Sequence, residues 1–75
     1  MGHVRRLTAY QIESILARFG FELVGQRGSH RKWRNLESRA VVTVPDHGRK
    51  EVPLGTVRQI MMAAGVPSRE WRTDE

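Results

Sequence analysis

Two apolar stripes at helical spacing, one near each end of the chain, do most to limit what this sequence can fold into. In the first, Thr8-Ala9-Tyr10-Gln11 has the form of a capping box, a hydroxyl residue followed three positions later by Gln. Ile12, Ile15, Leu16 and Phe19 then recur at i, i+3, i+4 and i+7, one face of a helix, and Gly20 supplies a stop. The second stripe is Leu54, Val57, Ile60, Met61 and Ala64, opening near Pro53 or Leu54 and closed by Gly65 and Pro67. Met61 and Met62 are both expected to fill the core. A helix with a single apolar stripe must bury it against another layer, so the chain between the two has to supply that layer.

That intervening chain reads as strand. Phe21 to Gln26 alternates early and weakens toward Gly25, and Arg27-Gly28-Ser29 offers a turn. His30 to Arg34 forms a second extended segment, followed by a turn at Leu36-Glu37-Ser38. Ala40-Val41-Val42-Thr43-Val44 is the richest in β-branched residues, and Pro45 ends it because proline cannot donate to a sheet ladder. The expected fold is α+β in the order α-β-β-β-α: a three-stranded antiparallel meander with two helices on one face and the other face open. One domain over residues 1–75 is expected, since no repeat or linker divides the chain. Residues 1–6 are expected to be disordered or left over from cloning, and no function is placed on them. Residues 67–75 read as a polar tail, with Ser68 capping a last turn, that frays unless Trp71 docks on the body.

Composition narrows the function. The absence of cysteine excludes a disulfide framework and a thiolate metal site. Apolar runs fall far short of the ~20 residues that span a bilayer, and no secretory pattern opens the chain, so a cytoplasmic protein without membrane contact is expected. Thirteen Lys+Arg against eight Asp+Glu give a net charge of +5. All the basic residues but Lys32 and Lys50 are arginines, whose planar fork suits phosphate oxygens and stacks on bases. Nucleic acid is the expected polyanion; solubility alone, or an acidic protein partner, are the other readings of the same charge.

In the second strand, alternation puts His30, Lys32 and Arg34 on one face and Arg31 and Trp33 on the other. Unpaired cations resist burial, so the first face should be the open one, and Trp33 should join the core. An isolated histidine after a Gly-Ser turn is ordinarily a surface residue without a role. His30 differs in its company, with Arg27, Arg31, Lys32 and Arg34 close in sequence. RNA carries its own nucleophile, the ribose 2′-hydroxyl, and an imidazole, which ordinarily titrates near pH ~6.5, can move protons to and from it around neutrality. Cations can stabilise charge on the phosphate. His30 is therefore the candidate catalytic residue, and Arg27, Gly28, Ser29, Arg31, Lys32, Arg34, His47 and Lys50 are the candidate RNA contacts. His47, in the polar loop after the third strand, either approaches His30 or has no role. Trp33 and Tyr10 are secondary candidates for stacking on bases. No metal site and no cofactor is expected. A non-catalytic RNA-binding module and a basic protein that holds an acidic partner would use the same residues.

The segments Phe19-Gly20-Phe21, Gln26-Arg27-Gly28-Ser29-His30, Val42-Thr43-Val44-Pro45 with His47, Gly55-Thr56-Val57-Arg58-Gln59-Ile60 and Ala64-Gly65-Val66 together resemble the HicA family of toxins, the YcfA-like proteins of HicAB toxin–antitoxin systems. The resemblance runs from Thr8 to about Trp71. It implies a fold like that of double-stranded-RNA-binding domains, mRNA cleavage through a single essential histidine that maps onto His30, and neutralisation by a HicB-like antitoxin covering the active site. The sequence departs from the family pattern at Asp46-His47-Gly48-Arg49-Lys50 and in the short tail after Val66.

Overall fold

A computed structural model describes residues 3–72. Helix α1 (Ala9–Arg18) begins where the sequence places it. The Thr8 hydroxyl accepts from the Gln11 N–H at 3.3 Å, and the Gln11 side chain accepts from the Thr8 N–H at 2.9 Å. Two of the N–H groups that a helix start leaves unpaired are thereby satisfied. Ile12, Ile15 and Leu16 are buried. Helix α2 (Leu54–Ala64) starts after Pro53 and ends on Gly65, whose φ of 68° is the left-handed cap conformation that glycine adopts without strain.

Three strands lie between the helices: β1 (Phe21–Arg27), β2 (His30–Asn35) and β3 (Val41–Pro45), paired antiparallel in the order β1-β2-β3. The chain is thus α-β-β-β-α. The buried sheet residues Phe21, Val42 and Val44 all point to one side, and both helices cover that side. Side chains on the opposite side of the sheet, His30, Lys32 and Arg34 among them, are exposed. The β1–β2 hairpin turns on two residues, Gly28 and Ser29, with Gly28 at the positive φ (59°) that tight hairpin turns demand.

The tail meets the condition under which it does not fray, since Trp71 docks on the body, while other expectations are corrected. Ser68–Trp71 forms a 3-10 turn, and Trp71 is fully buried in the core. No side chain caps this turn: Pro67, not Ser68, precedes its first residue. Residues 73–75 of the expected tail, and residues 1 and 2 of the start expected to be disordered or left over from cloning, lie outside the described residues. Val4 pairs with Arg72, and the Arg5 N–H donates to the Trp71 carbonyl at 2.6 Å. Residues 4–6 therefore belong to the folded body, because the buried indole anchors a short ladder to them. Met62 is 79% exposed, so of the two methionines only Met61 packs against the core. The helical period explains this: Met62 falls one residue off the Val57–Ile60–Ala64 stripe. Trp33 is half-buried at the core's margin, with its indole N–H held by a carboxylate.

Candidate nucleic-acid interface and active site

The sheet register sorts the basic residues by what each faces. Cross-strand partners share a face, so the open face carries three rows: Arg27, His30 and Pro45; Gly25, Lys32 and Thr43; Glu22, Arg34 and Val41. A bulge shapes this pattern. Val24 is an extra residue between the pairs Leu23–Trp33 and Gly25–Lys32. Strict alternation from Phe21 would turn Arg27 toward the helices. The inserted residue shifts the phase, so that Arg27 stands beside His30 on the open side.

Gly25, Gln26, Arg27, His30, Lys32 and Thr43 line a hollow of about 320 Å³ on this face. Among the described residues, Arg27, Lys32 and Arg34 have no ion-pair partner. Their charge is thus available to a ligand. His30 is exposed at the first position of β2, directly after the turn formed by Gly28 and Ser29.

The loop after β3 is fastened to that turn. The Asp46 N–H donates to the Ser29 carbonyl at 2.6 Å, and the Asp46 carboxylate accepts from the Gly48 N–H at 3.0 Å. This brings the loop carrying His47 and Lys50 to the end of the sheet that holds His30, with both side chains exposed. His47 follows Pro45, the ladder partner of His30, by two residues, but does not line the hollow.

Arg31 is the one candidate that the fold sets apart. It points to the helix side, where its Nε donates to Glu13 at 2.6 Å and its NH1 group to the Gln26 side-chain oxygen at 3.0 Å. The same Glu13 oxygen accepts from the Trp33 indole at 2.7 Å. Tyr10, Glu13, Ser14, Ala17, Arg31 and Trp33 line a second groove, of about 260 Å³, so the two aromatic candidates meet there and not beside His30. Gly25, Gln26 and Thr43 are site-lining residues that sequence reasoning missed, Gln26 being the one whose side chain holds Arg31. For Gly25 the signal was present in the weakened alternation of the first strand, which marks the bulge. For Thr43 there was none beyond its place in a strand.

A family model for the HicA toxin of bacterial toxin–antitoxin systems matches residues 9–66. The chain belongs to the HicA toxin family. The match takes in both helices and all three strands, and with them every candidate site residue. It stops short of Leu7 and Trp71, so two fully buried residues of this member lie outside the matched span. No curated protein matches the sequence. No helix among the described residues of this HicA-family chain is long and apolar enough to cross a membrane.

Proposed function

We propose that this HicA-family toxin is an endoribonuclease that cuts mRNA in the cytoplasm, with His30 as the proton-transfer residue. The observation that carries the reading is the placement of His30 on the open sheet face, in one hollow with Arg27 and Lys32. In the proposed reaction the 2′-oxygen bonds to phosphorus and the bond to the 5′-oxygen breaks, leaving a 2′,3′-cyclic phosphate and a 5′-hydroxyl end. One proton leaves the 2′-hydroxyl and one reaches the departing 5′-oxygen. His30 makes one of these transfers, and water, which reaches the exposed site, makes the other. Arg27 and Lys32 hold the phosphate and offset the charge that builds on its oxygens. Gly28 and Ser29 let the RNA strand approach the turn closely, His47 and Lys50 guide the flanking RNA, and Arg34 adds only long-range attraction from the far end of the face. The reaction needs neither a metal nor a cofactor, because the substrate supplies the nucleophile.

Incubation with RNA in EDTA tests this, with the ends identified chemically. Wild-type protein should release cyclic-phosphate ends, and His30→Ala should bind RNA without cutting it. A protein that binds RNA with a steep salt dependence but yields no products would be a binding module instead.

The same cations suit an antitoxin. We infer a HicB-like partner that lays carboxylates where RNA phosphates would sit, so that partner and RNA compete for one surface. Capture of the partner should weaken as salt is raised; an interaction indifferent to salt would count against that arrangement.

A further inference from the structure

We propose that the middle row of the open face, Gly25–Lys32–Thr43, is a second phosphate subsite, which takes the phosphodiester next to the one cut at His30. The inference rests on the reading of the open face as the RNA surface. It begins with the bulge: because Val24 is the extra residue, a glycine stands opposite Lys32 where a side chain would otherwise project. A Cβ built on Gly25 meets nothing within 4 Å, so this row is open space bounded by Lys32 on one side and by the Arg27–His30 row on the other. Thr43, across the ladder from Lys32, lines the same hollow. The row thus offers an ammonium and a hydroxyl, both exposed and both donors to a phosphate oxygen.

The spacing is suitable. Positions i and i+2 on a strand lie roughly 6.7 Å apart, so His30 and Lys32 present two donor rows about one nucleotide step from each other. The next row ends the track, since Glu22 faces Arg34 across the ladder and puts a carboxylate where a third phosphate would come. Two phosphates, not three, fit the polarity of this face. The substrate class is a single strand laid along β2, with the scissile phosphate at the hairpin end.

The test uses ligands that cannot be cut: a dinucleoside monophosphate with a 2′-deoxy residue at the scissile position, and the same unit extended by one nucleotide on its 5′ or its 3′ side. Affinities are measured for wild type, Thr43→Val and Gly25→Val, whose folding is checked by thermal melting. The second phosphodiester should tighten wild-type binding about three- to tenfold on one side only, as charge-assisted hydrogen bonds at an exposed site allow. Both variants should lose most of that gain. In wild type, the backbone amide signals of Lys32 and Thr43 should move with the longer ligand and not with the shorter, which keeps the proposal testable if a variant misfolds. A gain of equal size in both variants, or no gain in wild type on either side, overturns the subsite. Inorganic phosphate giving the same amide shifts as the longer ligand would also overturn it, since the site would then read a free anion and not an RNA strand. Because none of these ligands is cleaved, the result is independent of the role of His30, which cleavage by His30→Ala tests separately.

Discussion

Arg31 and Lys32 are adjacent in β2, both cationic, and they point to opposite faces of the sheet. Arg31 is half-buried, and its guanidinium is engaged by Glu13 and Gln26. Lys32 is exposed beside His30 with no ion-pair partner among the described residues. On the helix side the strand spends its polar groups on holding α1 in place. On the open side the same residue types are left to the solvent and to whatever anion comes. The difference shows how a chain with a +5 net charge divides its cations between ion pairs within the fold and free charge on its surface: a neighbouring carboxylate, not the residue type, decides.

The sharpest way to break this comparison is to delete one side chain from each face. His30→Ala should lower RNA cleavage about 10²–10⁴-fold, the usual worth of general acid–base work, with stability within about 0.5 kcal/mol because the residue is exposed. Arg31→Ala should leave cleavage by the folded protein within a few-fold of wild type. Single-turnover rates at saturating protein, measured well below the melting temperature, check both. Equal losses in the two variants would mean that the faces are not functionally distinct.

The second test concerns what the helix side holds together. One Glu13 oxygen serves both the Arg31 guanidinium and the Trp33 indole, and the two charged side chains are about a quarter or less exposed. Glu13→Ala leaves two half-buried donors unpaired and should cost about 1–3 kcal/mol, a fall of several degrees or more in Tm for a chain of this size. Glu13→Gln keeps an acceptor oxygen that can serve both donors, loses only the charge, and should cost less. Thermal melting orders the three proteins; a Glu13→Ala variant as stable as wild type would show that the cluster adds nothing to stability.

Local signals explain which parts of this arrangement were legible in the sequence. The capping box at Thr8 and Gln11, the stripe of α2 and the alternation of β2 are each set by residues a few positions apart, and all three hold in the structure. What escaped depends on partners distant in sequence. Nothing near Arg31 announces Glu13, 18 residues earlier. The sequence marks Trp71 as the residue that docks the tail, but nothing near it announces the N-terminal segment as its neighbour. The bulge at Val24 left only a faint mark, yet it decides that Arg27 joins His30. The open face was legible because unpaired cations resist burial, and the pairing of Arg31 was not because pairing removes that constraint.

The smallest effect in view separates the two cations by their electrostatics. Each phosphate neutralised on single-stranded RNA contributes about 0.7 to the slope of log K against log salt. Lys32→Ala should therefore reduce the slope by about that amount. Arg31→Gln should leave it unchanged, since its guanidinium already has a carboxylate partner on the far side of the sheet. Because overall affinity also responds to general charge loss, the slope is the better reading than any single binding constant. It needs only the His30→Ala background, so that RNA survives the titration. Should both substitutions lower the slope equally, the RNA would be sensing the net charge of the domain and not a track on one face. A reduction for Lys32 alone would assign the contact to the row beside the histidine, the row to which the sheet register assigns the Lys32 side chain.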